Sequence, residues 1–188
     1  MVAKAEEIME FWRGVGPAGW FRVDPEVDDA IRSRFGDLCE AARKGELADW
    51  VTEAESCTAL LVLLDQFPRN IYRGEARAFA SDQRALDVAT WAISRRRDGW
   101  IEGPERSFYY LPLMHSEILT NQDRSVRLFL IGFGRGENLR HARAHREVIR
   151  RFGRFPYRNA ALGRQSTPEE VEFLEAGGYL KILETIAA

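Results

Sequence analysis

Thr52-Glu-Ala-Glu-Ser-Cys-Thr-Ala-Leu-Leu-Val-Leu-Leu-Asp-Gln-Phe67 is the stretch on which the fold class turns. From Leu60 to Leu64 every residue is apolar, so a helix there is apolar nearly all round. That is the pattern of a central helix with neighbours on several sides. Thr52-Glu-Ala-Glu55 reads as a capping box and predicts the helix start. Pro68 lacks the N–H that an interior helix position needs, and it disfavours the α region for Phe67. The Phe-Pro step therefore predicts a stop.

Working outward, Val2 to Trp12 carries Ile8, Phe11 and Trp12 on one side and reads as a first helix. Asp24-Pro25 supplies an N-cap and a first-turn proline for a helix that Gly45 ends. Asp82 to Arg97 follows, and Ser107 to Leu119 is helical in pattern but broken by Pro112. Asp123 to Phe133 and Glu137 to Phe152 come next. Thr167-Pro-Glu-Glu170 is a second capping box, opening a last helix through Leu174. This makes seven to nine helices. Period-two alternation bounded by turns is absent. The expectation is an all-α chain of antiparallel helix pairs in a single domain, residues 1–188.

Composition narrows the function classes. The net charge of -2 gives no global attraction to nucleic acid or to an acidic membrane. The charge is unevenly spread: from Arg135 to Arg164 nine arginines face only Glu137 and Glu147. Of 27 basic residues only Lys4, Lys44 and Lys181 are lysine, leaving 24 arginines that can grip a carboxylate or phosphate with two N–H groups. The 21 aromatic residues (five Trp, five Tyr, eleven Phe) make a bulky core that needs no staple, and they would also suit the interface of a homo-oligomer. Cys39 and Cys57 are too few and too isolated for a disulfide framework or a zinc site. The longest apolar run, Ala59 to Leu64, is far short of the roughly 18 residues of a membrane span, and the polar start is no signal peptide. A cytoplasmic protein without a cofactor is expected.

Four constellations hold chemistry-bearing groups. Asp65, at the end of the apolar run, needs a partner, because a buried unpaired charge is very costly. Arg69 four residues on would make an Asp–Arg clamp, with Asn70 beside it; the other reading is an acid facing a cleft. Tyr109, His115 and Glu117 gather near the Pro112 break and suit proton transfer, although His115 and Glu117 diverge on a regular helix. His141 and His145 lie one turn apart, as metal ligands do, but no third ligand is near in sequence and Arg140, Arg143 and Arg146 would repel a cation. No metal site is expected. Arg154, Arg158 and Asn159 surround a second Phe-Pro step, Arg151-Phe-Gly-Arg-Phe-Pro-Tyr-Arg-Asn159, and suit a phosphate or carboxylate. The other reading is that these arginines pair with acids inside the fold.

Together, Leu-Leu-Asp65-Gln-Phe-Pro-Arg-Asn70, Ala78-Phe-Ala-Ser-Asp82, Phe108-Tyr-Tyr-Leu-Pro-Leu-Met-His-Ser-Glu117, the block from His145 through Asn159, and Leu162-Gly-Arg-Gln-Ser-Thr-Pro-Glu-Glu170 resemble the bacterial family catalogued as domain of unknown function 924. The resemblance spans nearly the whole chain. It implies an all-helical fold similar to tetratricopeptide-repeat proteins, and it implies no activity. One departure is Tyr157, where the family block has histidine; a mechanism requiring histidine there fails in this chain.

The expected function is a binding module in which Asp65, Arg69, Asn70, Tyr109, His115, Glu117, His145, Arg154, Arg158 and Asn159 line a polar cleft for a peptide or small anionic ligand. The alternative is an enzyme, for example a hydrolase, with His115 or His145 as base and Asp65 or Glu117 as orienting acid.

Overall fold

A computed structural model describes residues 2–186. Among these residues there are ten α-helices and no strand, so the chain is all-α. It divides into two compact units, Met1–Tyr109 and Tyr110–Ala188. No described helix is long and apolar enough to cross a membrane.

The first unit contains α1 (Val2–Val15), α2 (Pro25–Lys44), α3 (Ala54–Leu61), α4 (Phe67–Ile71) and α5 (Asp82–Ser94). The Asp24 carboxylate accepts the Glu26 and Val27 amides at 3.0 and 3.4 Å, and Gly45 closes α2 with a left-handed φ of 87°. The helix starts and stops there because local side chains satisfy its end groups. As its all-round apolar pattern requires, α3 is central: it packs on α1 and α5, and Leu60 through Leu64 are all buried.

Two local expectations fail in this unit. Thr52 does not cap α3: its hydroxyl donates to the Asp49 carbonyl at 2.8 Å within the tight turn Ala48–Val51. The residue before the helix is the extended Glu53, whose side chain makes no cap bond.

The second failure is at Phe67-Pro68, which does not stop the helix. A π-helical turn, Val62–Gln66, follows α3 directly, and Phe67 donates its N–H to the Val62 carbonyl five residues back. The helix then continues through Pro68 into α4. Proline offers no N–H to the carbonyl four residues earlier, that of Leu64. The Ser81 hydroxyl donates to that carbonyl at 2.6 Å instead. Ser81→Ala would leave the buried carbonyl without this donor and should cost about 1.5 kcal/mol in urea unfolding, within the usual range for an unmet buried polar group. No measurable loss would mean that Leu64 does not depend on Ser81.

The second unit contains α6 (Leu111–Met114), α7 (Leu119–Phe133), α8 (Glu137–Phe152), α9 (Pro168–Glu175) and α10 (Gly178–Thr185). The helix expected over Ser107 to Leu119 is interrupted, but not at Pro112, which lies in the first turn of α6; the chain breaks after Met114. α7 and α8 form a hairpin, and α10 packs on α8. Here the Phe-Pro step does follow a helix end. Gly153 stops α8 at φ 68°, and Phe155 is extended before Pro156. The Thr167 capping box is present, with Glu170 returning its side chain to the Thr167 N–H.

The last helix expected, through Leu174, is followed by a further one, α10. Gly177 and Gly178, at φ 103° and 56°, turn the chain sharply and let a further helix begin. Its Ile182 joins Ala144, Val148, Ile149 and Phe155 in a buried cluster. This helix and the short α4 and α6 raise the count above the seven to nine expected.

Candidate functional site

The site residues expected in the first unit are bound to one another or to neighbouring helices. Asp65 is buried in the π turn. Its carboxylate lies 3.4 Å from Arg69, whose Nη2 also donates to both carboxylate oxygens of Asp82 at 2.9 and 3.1 Å. Asn70 donates to Asp28 of α2 at 2.7 Å, and Arg73 grips the same carboxylate with contacts of 2.9 to 3.1 Å. Tyr109 is fully buried; its hydroxyl donates to the Ala54 carbonyl at 2.7 Å and accepts from Thr58 at 3.2 Å. Burial pushes its phenol well above the ordinary range. These contacts fasten the turn after α3 to α2 and α5, and the segment at Tyr109 to the start of α3.

In the second unit two carboxylates organise the arginine-rich segment. Glu170 is 2% exposed and receives both prongs of Arg154 at 2.6 and 2.7 Å. It also accepts the Asn159 amide at 3.1 Å and the Thr167 N–H at 2.8 Å. Arg154 foremost, and these donors with it, hold the Glu170 carboxyl down to about 2 against the opposing effect of burial. Glu117 accepts the Arg164 fork at 2.7 and 2.9 Å and the Phe155 N–H at 2.8 Å. Burial alone would raise this carboxyl, but Arg164, the Phe155 N–H and the charge of Arg158 together bring it below its ordinary value. Arg158 donates to the His115 carbonyl at 3.0 Å and lays its guanidinium 4.4 Å over the Phe155 ring.

Glu117→Ala should therefore cost about 2 kcal/mol, since it strips a half-buried arginine of its fork partner and a backbone N–H of its acceptor. Glu117→Gln, which keeps an acceptor, should lose about half as much. Equal losses in the two variants would mean that the fork contributes nothing beyond packing.

All three histidines of the chain gather beside these clamps. The His115 and His145 rings are 6.0 Å apart, and His145 lies 4.7 Å from the Tyr179 ring and edge-on to Phe155 at 5.6 Å. His145 Nδ1 donates to the His141 carbonyl at 2.9 Å, so its proton resides there and Nε2 is an acceptor. His141 Nδ1 pairs with the Tyr179 hydroxyl at 2.5 Å. Burial, first of all, together with the charges of His115 and Arg158, pushes His145 down to about 3, so it is neutral at any ordinary pH. His141 is lowered by burial as well. Among the described residues no group of three or more His, Cys, Asp or Glu side chains is placed to hold a metal.

Next to this cluster is an open groove of about 390 Å³ lined by His145, Tyr157, Leu174, Tyr179, Leu180 and the Gly177-Gly178 turn. Among the described residues no charged side chain lines it. Tyr157 stacks on Phe155 at 5.3 Å, yet it is 41% exposed, and Leu180 is 67% exposed. Of the residues expected to line a cleft, only His145 lies on this groove. Tyr179 and Leu180 belong to α10, which the sequence pattern does not mark. The paired Gly177-Gly178 was the available signal.

Residues 8–178 match a bacterial protein family of unknown function, DUF924. A solved structure of a protein of unknown function from Agrobacterium tumefaciens is similar, with 44% identity and a TM-score of 0.89. The alignment covers 94% of this chain and 99% of that one. No curated protein matches.

Proposed function

Since this chain belongs to the DUF924 family, whose description carries no activity, we propose its role from the groove beside His145: it is a binding module that takes a peptide segment bearing an aromatic or aliphatic side chain. The observation that carries this reading is the groove's lining, which is aromatic, aliphatic and uncharged while remaining open. Its volume is at the small end of the range for ligand sites, roughly 300–1,000 Å³. Tyr157, Tyr179 and Leu180 offer apolar contact, and the neutral imidazole of His145 offers one acceptor. The arginines that would hold a small anion are engaged elsewhere: Arg154 on Glu170, Arg164 on Glu117, and Arg158 on a carbonyl and an aromatic face. A peptide thus suits the groove better than a phosphate or carboxylate. His145, pushed down to about 3, is a poor general base near neutrality.

Selection of random peptides on the immobilised protein tests this reading. Peptides enriched in aromatic or large aliphatic residues are expected, and Leu180→Glu should abolish their capture without lowering the melting temperature, because Leu180 is on the surface. Enriched peptides that bind Leu180→Glu as well as wild type would refute the assignment.

A further inference from the structure

The first unit carries a larger groove of a different character. It holds about 680 Å³ and runs between α1, the start of α3 and the segment Trp100–Glu105. Trp100 lies on it with 78% of its surface exposed and with no aromatic partner among the described residues. An indole left open beside a cleft is the side chain most suited to grip a ligand through its face.

Charge says which ligand. Among the described residues five glutamates line the groove, and Arg13 is its one basic side chain. Arg13 is already bound, 2.9 Å from Glu55 and 2.9 and 3.0 Å from Glu105, and Glu105 foremost holds its guanidinium above the ordinary value. That leaves Glu6, Glu53 and Glu102 without an ion pair among the described residues. Glu53 and Glu55 have a local reason to be where they are, since negative charge is favoured at the N-terminus of α3. Glu6 has no such reason, and Glu102 precedes only the short helical turn Gly103–Tyr109. The surplus of negative charge belongs to the groove and not to the chain, whose net charge is only -2.

We propose that this groove binds a basic peptide segment, with a lysine or arginine over the Trp100 face and further basic groups against Glu6 and Glu102. A carboxylate pair and an aromatic face together recognise a cation better than either alone. Length favours a peptide over a small organic cation. Glu6 and Arg13 are seven residues apart on α1, about 10 Å of helix axis, which matches about three residues of extended chain.

Fluorescence anisotropy with a fluorescein-labelled peptide alternating lysine and alanine, in low-salt buffer, tests the inference. The peptide should bind wild type and weaken at least about tenfold on Trp100→Ala and on the double change Glu6→Gln with Glu102→Gln. The glutamate–alanine counterpart should not bind. Leu180→Glu should leave the binding unchanged, which separates this groove from the one beside His145. Failure of the lysine peptide to bind, equal binding by Trp100→Ala, or equal binding of the glutamate peptide would each overturn the proposal. Displacement by tetramethylammonium at matched cation concentration would overturn the assignment to a peptide.

Discussion

Phe67→Ala is expected to destabilise the protein by about 4 kcal/mol, the upper part of the range for removing a buried phenylalanine. Phe67 is completely buried. Its ring meets Trp12 edge-on at 5.2 Å, stacks on Phe35 at 5.4 Å and meets Phe11 edge-on at 6.2 Å. It therefore joins α1, α2 and the turn after α3 at one point. Truncation forfeits the apolar transfer energy and opens a void among rigid rings, which collapse poorly into the space. It also removes a side chain from the junction between the π turn and α4, where Pro68 already denies the helix a bond. Phe67→Leu, which keeps much of the volume, should lose less than half as much. Urea unfolding of both variants gives the comparison, and a loss below about 1 kcal/mol for Phe67→Ala would show that this junction does not hold the unit together.

Acidification from pH 7 to 4.5 should cost on the order of 3 kcal/mol through His145. The folded imidazole titrates near 3, well below its unfolded value of 6.5. Below 6.5 the unfolded chain takes up a proton that the folded chain refuses, so stability falls as the pH falls and stops falling near 3. Above 6.5 both states are neutral and the effect vanishes. His141, also lowered, contributes with the same sign. Glu170 and Glu147, both held near 2 by arginines, lose most of their stabilisation below their ordinary value of 4.5, so from pH 7 to about 5.5 the histidines dominate. His145→Asn preserves a donor for the His141 carbonyl and cannot titrate. Its loss between pH 7 and 4.5 should be clearly smaller than that of wild type, the remainder belonging to His141, whereas a slope equal to that of wild type would remove His145 as the cause.

The parts of the fold that were legible in the sequence are those fixed by neighbouring residues. Leu60 to Leu64 marked a central helix because no polar side remained to face water. Asp24-Pro25, Gly45 and Thr167 to Glu170 marked helix ends because the capping groups lie within a few residues of the amides they meet. Thr52 misled because its hydroxyl found a carbonyl in the preceding turn. Pro68 misled because the carbonyl it orphans is met by Ser81, from beyond the local window.

The candidate site was legible to a similar depth. Asp65, Glu117, Arg154 and Arg158 were visible as charges needing partners. Which carboxylate meets which arginine depends on packing: Arg154 with Glu170 and Arg164 with Glu117 are pairs that no spacing rule predicts. Tyr157 stood out as a departure from the expected histidine, and it lies on the groove. Tyr179 and Leu180 are not legible because a helix of eight residues after two glycines has a weak periodic signal.

The arrangement that emerges is one of arginines clamped internally and an uncharged groove left open next to three histidines. Calorimetric titration of the dominant selected peptide into wild type, Leu180→Glu and Trp100→Ala tests it most directly. Binding to wild type and to Trp100→Ala with one affinity, and a loss of at least about tenfold in Leu180→Glu, is the result the groove beside His145 predicts. Unchanged affinity in Leu180→Glu would contradict it.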